Sequence, residues 1–389
     1  MPNHSNADRR AIFIAPAANL LPSMAVATLG IALPDVRQTL SLSEVEAGGL
    51  FSSIFIFAAV ASPFSGRLSD KIGRKAVLLM GIFALSTGFA LSSLTPNYTL
   101  MLAALGLAGC GYGFTTPSLY ALMSDLLPAK RGLATALVSV AYGIGGALGS
   151  LLASFVIARS GWRAAFITAG AIGLVIALME ALSVKRGSYG TAQRRHQPYR
   201  NALNRGVILL ALAEFFGGSV FWSSASWTAT VLRSAKELTL QETGFVMAIW
   251  GLTPMVGALL LGALSDRYGR KPVIVASAYT GAVAAFVVYS WLSTPAALAV
   301  GLAVFGTLKA TAPTLIVALA QDSAPAGSAG AASGFVMSMH YVSAVAAPLI
   351  AGRLIASTGD MVLAMILTAS APLVVYGGLI AAVREKQSY

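Results

Sequence analysis

The sequence predicts an all-α polytopic membrane protein, with twelve transmembrane helices in two pseudo-symmetric six-helix bundles. Three observations carry this. Of 389 residues, 57% are hydrophobic and 10% charged, and the mean hydropathy is +0.76; soluble domains carry about 25% charged and 45–50% apolar residues. The apolar residues form long unbroken runs, not ten-residue alternations, so a β-barrel is excluded. Finally, a charged loop of the first half returns in the second.

A bilayer core about 30 Å thick takes about 20 apolar residues per helix. Runs of that kind fall near 11–33, 46–66, 76–95, 98–123, 132–157 and 163–183, and again near 205–231, 243–264, 272–292, 295–320, 330–352 and 361–383. Arg9-Arg10 ahead of the first run resembles a secretory signal, but Pro16, Pro22 and eleven further spans make it the first helix. Asp35, Arg37, Glu44 and Glu46 occupy the loop before the second helix. The fourth holds Gly109, Gly111, Gly113 and Pro117. The fifth holds Gly143, Gly145, Gly146 and Gly149, at the spacing of close helix packing. Gly161-Trp162-Arg163 opens the sixth, whose Glu180 is expected at the interface near Lys185. Trp227, late in the seventh, is expected in the interfacial aromatic belt.

The longest polar stretch, Val184 to Asn204, has five basic residues before Asn204 and no acidic one. It stands at the midpoint of the chain. The division is therefore a bundle at 1–183, a basic cytoplasmic linker at 184–204 and a second bundle at 205–389. Solvated, the linker only fixes topology; against a membrane, each basic residue near anionic headgroups gains about 1 kcal/mol.

Net charge is +12 and the isoelectric point near 10, but the basic residues sit in short loops, so nucleic acid is not the expected partner. One side of the membrane carries 19 Lys and Arg and the other 6, with Lys309 inside a span. The excess marks the cytoplasmic face. Both termini are expected there, in a bacterial inner membrane. The single Cys110 excludes an internal disulfide and reads as a small buried hydrophobe.

The halves repeat at an offset of 196 residues. Gly66-Arg-Leu-Ser-Asp-Lys-Ile-Gly-Arg-Lys75 returns as Gly262-Ala-Leu-Ser-Asp-Arg-Tyr-Gly-Arg-Lys271, with seven of ten positions identical. Pro117 matches Pro313, and Asp125-x-x-Pro128 matches Asp322-x-x-Pro325 one residue later. Internal duplication is a common way to build a secondary transporter, whose substrate site lies between the repeats near the midplane. Neither glycine cluster follows a strand, and no Gly-Lys-Ser/Thr loop occurs, so nucleotide does not drive this protein directly.

These decapeptides, each after an even-numbered span, resemble the signature loop of the major facilitator superfamily, and with the twelve-span pattern the resemblance covers nearly the whole chain. It implies the superfamily's fold and alternating access. It also implies that Asp70 and Arg74, with Asp266 and Arg270 as weaker partners, form a conformational gate on the cytoplasmic side. Two departures count against drug–proton antiport. Where antiporters carry Arg and Gln in the fourth helix this chain has Leu105 and Ala108, and the fifth-helix glycine cluster lacks the antiporter proline.

Ionisable residues within a bilayer are expensive and need a reason. At about 1.5 Å per residue, Lys309 lies roughly 21 Å beyond Pro295, in mid-membrane. His340 lies roughly 15 Å into the eleventh helix and Glu214 roughly 14 Å into the seventh. Their counterparts in the first half, Gly113, Gly143 and Ala18, are uncharged, so the second half has acquired charge on a common scaffold. The helices concerned line or border the central cavity of the fold this chain resembles. Lys309 offers a point charge to a carboxylate. His340 can donate to that anion or titrate, and Glu214 can carry a coupled proton or neutralise Lys309. A Lys309–Glu214 ion pair with a purely structural role is the other reading. Asn19, Tyr112, Tyr142 and Trp222, with Phe221 and Trp227, are further candidates for substrate contact, each with packing as the alternative.

The expected function is secondary active transport of a small organic anion, a carboxylate-type metabolite, by proton symport or anion exchange, without enzymatic activity. The alternative is proton-coupled efflux of hydrophobic or cationic compounds. A membrane sensor or scaffold is disfavoured because no soluble domain is present. Expected partners are the small-molecule substrate, a coupling proton or counter-anion, and membrane lipids, around a monomer. Cofactor and metal are not expected: His4 and His196 cannot readily join His340 in a midplane site, and no His/Cys ligand spacing occurs.

Overall fold

The computed structural model describes residues 11–127, 130–183, 203–325 and 328–383; the side chains of Asp70, Arg131, Ala312, Pro313 and Thr314 are outside that description. Of the linker assigned to 184–204, residues 184–202 lie outside the described residues, as does Pro128.

The described residues are helical almost throughout. The helices are α1 (Ala11–Leu40), α2 (Glu44–Ile72), α3 (Arg74–Ser92) and α4 (Tyr98–Leu126). A continuous stretch, Arg131–Ser183, follows. Gly161 interrupts it with φ 77° and ψ 171°, a backbone conformation that side-chain-bearing residues avoid. We number the pieces on either side α5 (131–160) and α6 (162–183). The second set is α7 (Arg205–Ser234), α8 (Leu240–Tyr268), α9 (Arg270–Ser290), α10a (Pro295–Lys309), α10b (Thr311–Ser323), α11 (Ala329–Thr358) and α12 (Met361–Ala381). Counting α10a and α10b as one, the described residues form twelve spans.

The duplication is visible in the helix ends, where orphan backbone N–H groups need partners. Ser43 and Glu46 make a reciprocal capping box at the start of α2. Thr239 and Glu242 make the same box 196 residues later, with Thr239 N–H donating to Glu242 Oε2 at 2.9 Å and Glu242 N–H to Thr239 Oγ1 at 3.3 Å. Asn97 caps α4 and Thr294 caps α10a. Gly73 (φ 90°, ψ 149°) and Gly269 (φ 88°, ψ 152°) turn the chain at corresponding loops. Where a non-glycine residue would be strained, the repeat has kept glycine twice.

Helix ten departs from the continuous span expected at 295–320. It breaks at Ala310, whose N–H reaches back three residues to Thr307 O at 3.2 Å. Pro313 stands four residues beyond Lys309 and has no N–H to donate to the Lys309 carbonyl. The break leaves Lys309 as the last residue of α10a and Thr311 as the first of α10b. In α12, one π turn covers Ile366–Ser370.

By contact, the chain divides into two compact units. The first comprises Met1–Gln193 with Thr239–Gly251, and the second Arg194–Leu238 with Leu252–Tyr389. Within the first, α3 and α2 pack on α4, and α1 on the α5–α6 stretch. Small residues allow the approach: a Cβ on Gly111 would fall 2.5 Å from Gly81 O and 2.7 Å from Leu85 Cα. Within the second, α7 packs against α11, α12 and α10b, and α9 against α10a and α12.

Candidate functional site

Charged and aromatic groups gather in the second unit around the middle of α7. Glu214 and Trp222 are buried there, at 0% and 3% exposure, and Phe221 lies beside them. Glu214 and Phe221 are seven residues apart, two turns, and so share a face. His340 Nδ1 on α11 stands 2.7 Å from Glu214 Oε1. Its ring also meets Trp222, with centroids 5.6 Å apart, and Phe221 at 6.4 Å. Phe221 and Trp222 make an edge-to-face pair at 4.7 Å and 85°. At the end of α10a, Lys309 Nζ lies 4.0 Å from the centroid of the Phe221 ring, within cation–π range. Lys309 is 5% exposed.

Gly218 makes the α7–α11 contact possible. A Cβ there would overlap Ser343 Oγ and come within 2.9 Å of His340 Nδ1. Ser343 Oγ in turn donates to the His340 carbonyl at 2.7 Å, so the histidine is held by its ring and its backbone.

The sequence-predicted residues thus separate. Lys309, His340, Glu214 and Trp222 are brought into one connected cluster, in which Glu214 bonds to His340 while Lys309 meets the face of Phe221. Asn19, Tyr112 and Tyr142 lie in the first unit. Asn19 Nδ2 donates to the Val138 carbonyl at 2.9 Å, joining α1 to α5. Tyr112 packs edge-on against Phe55 at 5.8 Å. The Tyr142 carbonyl accepts from Ser23 Oγ at 2.6 Å.

Of the residues expected to form a gate, Asp70 has its side chain outside the described residues, and Asp266 is exposed. Arg74 pairs with Asp125 and Arg270 with Asp322, each joining the start of an odd-numbered helix to the end of the next. The following lysines repeat too. Lys75 Nζ donates to Ala181 O at 2.6 Å and Lys271 Nζ to Val383 O at 2.7 Å, where cations suit the negative ends of α6 and α12.

Glu180 stands near the end of α6, next to the Ala181 whose carbonyl Lys75 reaches, and is fully buried there. One expectation changes. Trp227 is fully buried rather than in the aromatic belt, and its Nε1–H donates to the Pro348 carbonyl of α11 at 3.0 Å. Missed from sequence were the partnering of Glu214 with His340, the place of Phe221 under Lys309, and Tyr376 beside Glu214. Local pattern holds no trace of the first two, which depend on helix rotation. Tyr376 is one tyrosine in an apolar run.

The sequence profile of the Major Facilitator Superfamily matches residues 17–348 and 207–386. The gentisate transporter of Corynebacterium glutamicum is 29% identical over 340 residues, covering 81% of this chain and 74% of the relative. The 3-(3-hydroxy-phenyl)propionate transporter of Escherichia coli K12 is 25% identical over 373 residues, 92% and 90% of the two chains. Multidrug resistance protein 2 of Bacillus subtilis is 27% identical over 301 residues, 72% and 73%. Among solved structures, that of a nucleoside transporter superposes with a TM-score of 0.81 at 14% identity, over 98% of this chain and 100% of the other. With the helix caps, turns and ion pairs repeated across the two halves, and a profile match over nearly the full length, the chain belongs to the Major Facilitator Superfamily.

Proposed function

We propose that the chain is a secondary active transporter of a small organic anion of the carboxylate class, working by alternating access with proton symport or anion exchange. The observation that carries this is Lys309, a cation 5% exposed at a break in a membrane helix and set against an aromatic face. A charge there needs a functional reason. A carboxylate bearing an aromatic ring suits both halves of the pair, meeting the ammonium with its charge and Phe221 or Trp222 with its ring. Relatives named for gentisate and hydroxyphenylpropionate carry substrates of that chemistry. The bundles at 1–183 and 205–389, joined by the 184–204 linker, are the halves of the transport cycle. Both termini lie on the cytoplasmic face of a bacterial inner membrane. Arg74–Asp125 and Arg270–Asp322, with Asp70 and Asp266 beside them in sequence, act as the conformational gate. The unit in the bilayer is a monomer.

A second reading, proton-coupled efflux of hydrophobic or cationic compounds, draws on the buried Glu214 carboxylate and on the multidrug relative. Thermal unfolding of the purified protein separates the two. Ligand at 100 times its dissociation constant adds about 2.7 kcal/mol if it binds only the folded state. Gentisate or benzoate is expected to stabilise the wild type and to lose that effect in Lys309→Ala. Stabilisation by tetraphenylphosphonium alone, or undiminished gentisate binding by Lys309→Ala, would overturn the anion assignment.

A further inference from the structure

Behind the His340 bond is a set of polar atoms that anion binding does not use. Glu214 Oε1 meets His340, but Oε2 is fully buried and has no hydrogen-bond partner among the described residues. The hydroxyl of Tyr376, on α12, is equally buried and also has no partner at bonding distance among the described residues. It lies within electrostatic reach of Glu214 and beside the Thr311 side chain. Ser277 Oγ on α9 stands 3.4 Å from Thr311 Oγ1. A line of polar groups therefore runs from α11 through α7 and α12 to α10b and α9. The ionisable groups facing Glu214 across these helices are His340 from α11 and Tyr376 from α12. Lys309 from α10a meets Phe221, two turns along α7.

Resting on the anion-transport reading, we propose that the Glu214–His340 pair carries one proton, and that Tyr376 and Thr311 are positioning residues for the carboxylate's second oxygen. A proton arriving at His340 Nε2 makes the imidazolium. The Nδ1–H bond then breaks as an O–H bond forms on Glu214 Oε1, leaving both groups neutral with Oε1–H donating to Nδ1. On release the steps reverse, and Oε2 of the ionised carboxylate accepts from the Tyr376 hydroxyl, which accepts in turn from Thr311. A tyrosine O–H and a threonine O–H can each donate and accept, so the line suits both charge states.

The placement of Thr311 gives the line a use. Lys309 and Thr311 flank the helix-ten break, with only Ala310 between them. An anion drawing Lys309 away from Phe221 moves the start of α10b, and with it the group that orients Tyr376. Anion binding and proton affinity are then linked through one hinge, reciprocally.

Infrared difference spectroscopy of the purified, substrate-free protein tests the proton site. A pH-dependent carboxylic-acid band is expected in the wild type, absent from Glu214→Gln, shifted in Tyr376→Phe and shifted less in Thr311→Val. Tyr376→Phe removes one oxygen from a folded chain, so it guards against a Glu214 variant that fails to fold. Absence of the band, or a band unmoved in Tyr376→Phe, would overturn the proposal. In proteoliposomes with gentisate as probe, Tyr376→Phe should lower proton-driven accumulation about tenfold, the scale of one hydrogen bond to a charged group, while counterflow stays near wild type. Equal loss of both activities would refute the positioning role. A wild type that moves no gentisate would count against the transport reading and leave the infrared arm to decide the proton site.

Discussion

Replacing Gly218 by alanine tests the α7–α11 contact on which the charged cluster depends. The added methyl group would overlap Ser343 Oγ and stand 2.9 Å from His340 Nδ1. Ser343 can rotate away by giving up its bond to the His340 carbonyl. The imidazole has less freedom, because Nδ1 is fixed 2.7 Å from Glu214 Oε1 and the ring lies against Trp222. Moving it a few tenths of an ångström weakens a hydrogen bond to a charged group, worth about 1.5–3 kcal/mol. Alanine in place of glycine returns about 1 kcal/mol of helix propensity. The net expectation is a loss of about 1–2 kcal/mol, with gentisate uptake reduced more than stability. Thermal unfolding of Gly218→Ala, Ser343→Ala and the double variant forms a cycle. If Ser343 is the first obstacle, the double variant recovers more than about 0.5 kcal/mol beyond additivity. A Gly218→Ala protein as stable as the wild type, with uptake intact, would refute the close packing and the cluster built on it.

Gly111→Ala should lower stability by about 1–3 kcal/mol through overpacking, because the atoms it meets, Gly81 O and Leu85 Cα, are backbone; an unchanged unfolding temperature would count against the α3–α4 contact. Asp125→Asn should destabilise more than Asp322→Asn, since the Arg74 pair is 18% and 24% exposed and the Arg270 pair 39% and 59%. The latter change is expected within about 0–1 kcal/mol, as for solvent-exposed pairs, and a reversed order in unfolding midpoints would contradict this. Asn19→Ala removes the bond to the Val138 carbonyl and should cost about 1–2 kcal/mol. Loss of gentisate affinity without any loss of stability would instead make Asn19 a substrate contact.

Sequence by itself determined the fold class and the spans, because both follow from the solvent. A bilayer demands long apolar helices with satisfied backbones, and that demand is written in the run lengths around every loop. It also determined the duplication, since the loops at Gly66–Lys75 and Gly262–Lys271, with the turn glycines Gly73 and Gly269, return at one offset. These are local requirements at fixed spacing. The candidate cluster was legible only in part. Lys309, Glu214 and His340 stand out as charges in apolar runs, but which of them meet depends on the rotation of each helix about its axis, which the apolar runs leave open: all faces of a membrane helix are hydrophobic. Tertiary structure decided that Glu214 takes His340 and that Lys309 meets Phe221. It also decided that Trp227 turns inward to the Pro348 carbonyl of α11 rather than outward to the interface. The break after Lys309 lies between these extremes. Its cause, Pro313, was visible in the sequence, yet Pro117 at the matching position leaves α4 unbroken, so only the packed bundle determines which proline interrupts its helix.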